Sequence, residues 1–413
     1  MRKLSIVAMV GILMAVAGCS GNGGTSVAGG NTITGSAANV QPVTVSPGPT
    51  YVSGNPNTAY LNGVFTSVTV CVPGTSNCQT IDNVLVDTGS VGLRLVSSSA
   101  GGELTLPLPQ QTDVTANAVT ECDELEDGYT YGPIRTADIK LSGEQAPSAA
   151  VQVIGDPAFS SVPASCGNTG LAAENTLQSL GANGLLGVGP FLQDCGLGCV
   201  SGVTNNPSIY YSCSGSGCQD SVISLAQQVQ NPVSLFSVDN NGVILELPAI
   251  SASGANNVSG ALVFGIGTQS NNGLGNSAVF PADNNGNILT SFSNNVYTSF
   301  LDSGSNALFF LTQSLTNIPV CSDDTDFYCP ASTMTVPVIN EGASGVPTQN
   351  VNLSVANADS LSSNFTAFNN IAGPWGPPPE FFDFGLSFFF GRNVYTAFEA
   401  SNTPAGVGPF FAY

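Results

Sequence analysis

Two apolar runs in the chain end in nearly the same words. The first is Val84-Leu85-Val86-Asp87-Thr88-Gly89-Ser90, followed by Val91-Gly92-Leu93-Arg94-Leu95. The second is Ser299-Phe300-Leu301-Asp302-Ser303-Gly304-Ser305, followed by Asn306-Ala307-Leu308-Phe309-Phe310. One such tetrapeptide carries little weight in a chain rich in Ser, Thr and Gly. Two, each between an apolar strand and another apolar run, mark a repeated unit. A second echo lies downstream. Asn183-Gly184-Leu185-Leu186-Gly187-Val188-Gly189 puts Gly187 100 residues after Asp87. Phe388-Phe389-Phe390-Gly391-Arg392-Asn393 puts Gly391 89 residues after Asp302. The chain therefore reads as two copies of one β unit.

The remaining pattern agrees. From about residue 58, short β-branched and aromatic runs such as Ser67–Val72 and Ala261–Phe264 alternate with Gly/Asn/Pro/Ser turns, which predicts a mostly β protein. Few stretches read as helix. The best is Ser221–Val229, with Ser221 as N-cap. So long a β-rich chain predicts two lobes.

Histidine is absent from all 413 residues. Ser-His-Asp and Cys-His nucleophiles, His-containing zinc sites and proximal-His haem are thereby excluded. The net charge of −21 argues against nucleic-acid binding, since polyanions repel. Chemistry here must come mainly from carboxylates, hydroxyls and backbone amides.

With both motifs in view, the chain resembles the bilobal, pepsin-like aspartic proteases, and the similarity covers roughly residues 60–413. The resemblance implies an all-β, bilobal double β-barrel of the acid-protease type with a few short helices. Its lobes are expected at 58–232 and 233–413. It implies a catalytic dyad of Asp87 and Asp302, supported by Thr88, Gly89, Ser90, Ser303, Gly304 and Ser305. Two carboxylates about 3 Å apart share one proton: the charged one activates a water and the protonated one hydrogen-bonds the substrate carbonyl. Ser90 and Ser305 are expected to bond the outer carboxylate oxygens, and Thr88 and Ser303 to tie the loops together. Gly187 and Gly391, the latter with Arg392, are expected to brace the loops. Ser221–Val229 and Leu235-Phe236-Ser237-Val238 resemble the helix and strand that close the first lobe. Phe389–Tyr395 is closer to the retroviral branch, where Gly-Arg-Asn opens a helix. The family's flap, a hairpin over the site, has its candidate at Tyr131-Gly132. There the hairpin tip looks cut short, and Pro133 lacks an amide donor. Arg94 replaces an aromatic residue of the pepsin pattern.

Met1-Arg2-Lys3, then the apolar run Leu4–Ala17, reads as a leader too short to span a bilayer. Ending at Val16-Ala17-Gly18-Cys19-Ser20, it resembles a bacterial lipobox. Residues 1–18 are then a lipoprotein signal peptide and Cys19 the lipidated residue. Ser20 suggests outer-membrane sorting, periplasmic or surface-facing. Residues 19–57, rich in Gly, Ser, Thr and Pro, are expected to be a flexible tether. The chain after the leader keeps four basic residues against 27 acidic ones, a net charge of −23.

The ten cysteines beyond Cys19 suit disulfides in an exported protein. Spacing suggests Cys71–Cys78, Cys321–Cys329 and Cys122–Cys166. For Cys195, Cys199, Cys213 and Cys218, nested pairs (Cys195–Cys218, Cys199–Cys213) or a Cys-only zinc site are the options. The acidic runs Glu121–Asp127 and Asp323–Asp326 read as solvated loops rather than Ca²⁺ sites. Trp375 reads as an exposed loop anchor, and Phe381-Phe382 and Phe388–Phe390 as core. The function expected is hydrolysis of a peptide or protein substrate by a monomer, without metal, cofactor or nucleic acid. The alternative is a non-catalytic peptide- or protein-binding envelope lipoprotein on the same fold.

Overall fold

The computed structural model describes residues 37–49, 59–376 and 379–413. The expected leader, Cys19 and much of the expected tether lie outside them. Among the described residues no helix is long and apolar enough to cross a membrane.

The repeat seen in the sequence is a repeat of topology. The strand Cys78–Asp87 runs into the first Asp loop and returns as Val91–Val96. Between them lies Gly184–Val188, parallel to the first and antiparallel to the second, with Asp87 opposite Gly187. In the second copy Asn295–Leu301 runs into the second Asp loop and returns as Leu308–Phe310. Phe381–Phe384 lies between these two in the same directions. Strands covered on both faces read as near-continuous apolar runs, which is why Val84-Leu85-Val86 and Leu185-Leu186 were visible.

The second brace is therefore not the one expected. Phe384 stands opposite Leu301, and Gly385 follows it. A Cβ on Gly385 would lie 2.0 Å from the Ala307 carbonyl oxygen, so only glycine packs there. Gly391 instead donates its N–H to Leu247 O at 2.9 Å. Arg392 opens no helix. It begins the strand Arg392–Ala397, paired with Gly242–Leu247, and its guanidinium covers the Phe388 ring at 4.2 Å. Asp383 interrupts the apolar run ahead of Gly385, so Phe388–Gly391 mimicked the pattern better than the true brace.

Among the described residues, one sheet of sixteen strands carries the first Asp loop and one of seven carries the second. The larger sheet does not stop at the expected boundary of 232/233. It continues through Gly242–Leu247, Val258–Phe264, Val279–Pro281, Arg392–Ala397 and Phe410–Ala412. The joining element is Val40–Ser46, which pairs with Gly63–Cys71 on one side and Val258–Phe264 on the other. This corrects the expected tether of 19–57: Val40, Val43 and Val45 are buried. A seven-residue β-branched strand was hidden there by its Gly/Ser/Pro surroundings.

Helix is scarce, as expected, but not where expected. Ser221–Val229 holds only the 3₁₀ turn Leu225–Gln227, and Leu235–Val238 forms no strand because the 3₁₀ turn Pro232–Leu235 runs into it. Pro232 at its start suits such a turn. Five disulfides form: Cys71–Cys78, Cys122–Cys166, Cys195–Cys199, Cys213–Cys218 and Cys321–Cys329. The nested pairing is thus overturned. Cys213 and Cys218 face each other across the hairpin Tyr210–Ser214/Gly217–Asp220, and Cys195–Cys199 closes a separate turn. All four sulfurs are bonded, which leaves no thiolate there for zinc. Phe382, Phe388, Phe389 and Phe390 are core residues, whereas Phe381 is half-buried.

Candidate active site

The two Asp loops meet and lock reciprocally. Thr88 N–H donates to Ser303 Oγ at 3.1 Å, and Ser303 N–H to Thr88 Oγ1 at 2.9 Å. Each hydroxyl then donates across the interface to the strand feeding the other loop: Thr88 Oγ1 to Leu301 O at 3.1 Å, Ser303 Oγ to Val86 O at 2.8 Å. Both side chains are buried, so all four groups need these partners. This is the tie that Thr88 and Ser303 were expected to make.

The lock sets the carboxyls. Asp87 Oδ1 accepts from Gly89 N–H at 2.7 Å and Ser90 N–H at 3.2 Å, and Oδ2 accepts from Ser90 Oγ at 2.5 Å. Asp302 Oδ1 accepts from Gly304 N–H at 2.7 Å, and Oδ2 from Ser305 Oγ at 3.0 Å. Glycine is required in both loops by close approach. A Cβ on Gly89 would lie 2.5 Å from the Asp302 carboxyl carbon, and one on Gly304 2.7 Å from that of Asp87. Each loop's glycine thus faces the other loop's carboxyl, which makes the two carboxyls neighbours. Burial first, then the like charge of Asp87 and that of Asp383, hold Asp302 well above the usual carboxylate range. The pair is asymmetric: Asp87 collects three donors, Asp302 two, and Asp302 is the member that keeps a proton.

Asp383 is the residue sequence reasoning missed. It is buried beside Phe300 and Phe309 in the brace strand, two residues ahead of Gly385. Burial pushes it well above the usual range, with Glu126 and Asp87 adding to the rise. An Asp two residues before a bracing glycine, where the first copy has Leu185, was the available signal.

A cavity of about 380 Å³ opens over the pair. Its floor includes Asp87, Gly89, Ser90, Asp302, Gly304 and Ser305, and Phe191, Asp194 and Phe300 stand around it. Asp123, Glu124, Leu125 and Glu126 line it from above. They belong to the hairpin Ala118–Glu124/Gly128–Leu141, closed by Leu125 N–H to Gly128 O at 2.7 Å. This hairpin over the cavity is therefore complete, and its tip is acidic. The candidate Tyr131-Gly132 lies back from the tip, paired with Cys122 and Glu121. Tyr131 is buried with its hydroxyl 3.1 Å from Thr120 Oγ1, and a Cβ on Gly132 would lie 1.9 Å from Val153 O. Pro133 sits opposite Thr120 in the ladder. Glu121–Asp127 is not simply a solvated loop: Glu121 is fully buried and Asp123 half-buried. Trp375 is half-buried too, edge-on to Phe300 at 6.0 Å.

Among the described residues, one group has the spacing of metal ligands, Cys321, Cys329 and Asp359, and its two sulfurs form a disulfide.

An all-β, two-lobed fold with one Asp-hydroxyl-Gly-hydroxyl loop per copy is of the pepsin-like, acid-protease type. The chain belongs to the family described as "Protein of unknown function (DUF3443)", whose model matches residues 35–413. It is similar to the crystal structure of an aspartic proteinase from Irpex lacteus, with 13% identity and a TM-score of 0.48 over 91% of this chain and 97% of that one. No curated protein matches it.

Proposed function

We propose that the chain is an aspartic endopeptidase that hydrolyses peptide bonds with Asp87, Asp302 and a water. The observation that carries this reading is the reciprocal lock, which brings the buried carboxyl of Asp87 and the half-buried one of Asp302 together with glycine backbone against each. Like charges so placed share one proton. Asp302 holds it and hydrogen-bonds the substrate carbonyl. Asp87 takes a proton from the water as it attacks and Asp302 gives its proton to the carbonyl oxygen, which forms a gem-diol; the C–N bond then breaks as Asp87 returns its proton to the amide nitrogen and Asp302 takes one back from a gem-diol hydroxyl. The donors around Asp87 and Asp302 hold both carboxyls in orientation throughout. The flap hairpin covers the cavity and limits water around the reacting bond.

The protein acts in the cell envelope as a monomer, anchored through lipid on Cys19 at the outer membrane. Cys19→Ala should release it from membranes. The activity is tested by incubating the purified protein with an unstructured protein between about pH 3 and 7, with and without a dyad-directed transition-state inhibitor. Inhibitor-sensitive cleavage supports the peptidase. Tight binding without cleavage at any pH supports the rival reading, an envelope protein that holds peptides in the same cleft.

A further inference from the structure

Arg94 is among the largest fully buried side chains of the protein, six residues after the first lock hydroxyl in the strand Val91–Val96. Its Nη1 donates to Val91 O at 2.6 Å. Nη2 lies 2.8 Å from Glu121 Oε1 and 3.5 Å from Asp194 Oδ2, and Nε lies 3.0 Å from Asp123 Oδ2. These partners belong to different parts. Glu121 and Asp123 alternate with Cys122 along the flap strand, so they share the face turned to Arg94. Cys122, on the other face, is tied to Cys166. Asp194 stands in the cavity wall, held by Tyr210 Oη at 2.7 and 2.6 Å, and Tyr210 Oη accepts from Val229 N–H at 2.7 Å.

One fully buried guanidinium faces three carboxyls, two of them out of water and the third, Asp123, half-buried, and one positive charge cannot balance three negative ones. Burial holds Glu121 well above the usual range in spite of Arg94, with Asp194 adding to the rise. Burial likewise raises Asp123 to about 7 against the pull of Arg94, with Glu121, Asp87 and Glu124 adding to the rise. Below that point Asp123 is protonated and adds no charge beside Glu121 and Asp194. Above it, Asp123 adds a further negative charge close to Glu121 and Asp87.

We infer that Arg94 is the positioning residue of the flap, holding the hairpin over the carboxyl pair through Glu121 and Asp123, and that the hold weakens when Asp123 ionises. The groups that set this balance are Arg94, Glu121, Asp194, Tyr210, Asp87 and Glu124. Opening hydrates Asp123 and returns it toward the ordinary range near 4. A group whose closed-state pKa is raised favours the closed state at low pH and loses that preference as pH rises. The flap is thus closed in acid and loosened toward alkaline pH. The hold itself is independent of any activity; its effect on turnover rests on the peptidase reading.

Hydrogen exchange of the flap amides in the full chain tests this, at about pH 5 and about pH 8 with intrinsic rates corrected. In the wild type, protection should fall by about tenfold or more between the two. Asp123→Asn should abolish that fall, and Arg94→Met should lose protection at both. Asp123→Asn decides the matter if Arg94→Met does not fold. A flap as protected in Arg94→Met as in the wild type, or a fall in Asp123→Asn equal to that of the wild type, overturns the inference. Because exchange needs no substrate, a protein that cleaves nothing would refute the peptidase reading and leave this result standing.

Discussion

Asp383 is buried in the strand that braces the second Asp loop, and its charge acts on Asp302. The folded-state pKa of Asp383 is raised, so its contribution to stability is complete below the ordinary carboxylate range and is lost as pH rises toward the raised value. Asp383→Asn keeps the size of the side chain and cannot ionise. Chemical unfolding followed against pH should therefore show a shallower alkaline loss in Asp383→Asn than in the wild type. Equal slopes would mean that Asp383 is not held protonated. The lock makes a second prediction at this scale. Thr88→Val removes the partner of Ser303 N–H and of Leu301 O, two buried groups, and should cost about 2 kcal/mol in denaturant unfolding.

At the scale of elements, legibility followed the match between local pattern and burial. The first Asp loop was legible because the residues on either side of it are buried on both faces and read as continuous apolar runs, and the second because it repeats the same four-residue pattern between Phe300-Leu301 and the buried strand Leu308–Phe310. The first brace was legible for the same reason. The second was not, because Asp383 stands where an apolar residue would complete the pattern. The flap was misplaced by looking for Tyr-Gly at its tip. The sequence offered Leu125–Asp127 as a turn between two pairing strands, but acidic side chains there read as solvated. Only the tertiary position of Arg94 turns Glu121 inward. The strand Val40–Ser46 was lost to composition, since a Gly/Ser/Pro-rich window outweighed seven residues with alternating burial. It now carries a prediction. Val43 is 2% exposed in the shared sheet, and Val43→Asp should destabilise the protein by more than about 3 kcal/mol, measured by denaturant unfolding. A flexible tether would tolerate the change.

At the scale of the molecule, the carboxyls in and around the site shift together. Asp302, Asp383, Glu121 and Asp194 are all raised chiefly by burial, and Asp123 reaches about 7. Folding therefore takes up protons, and stability should be greatest in acid and decline as pH rises from about 4 toward neutrality. Thermal unfolding across that range checks the sign; a protein that gains stability over it would contradict the buried arrangement. A chain without histidine and with a net charge of −21 has few other groups with which to do hydrolytic chemistry. Hydrolysis by this chain requires that Asp87 and Asp302 act as one pair on one water. The direct measurement is cleavage of an unstructured protein at acidic pH by the wild type, Asp87→Asn and Asp302→Asn, each shown to be folded by its unfolding curve. The account predicts cleavage by the wild type and, for either variant, a loss of at least about a thousandfold. Cleavage by either variant at a rate near that of the wild type would contradict it.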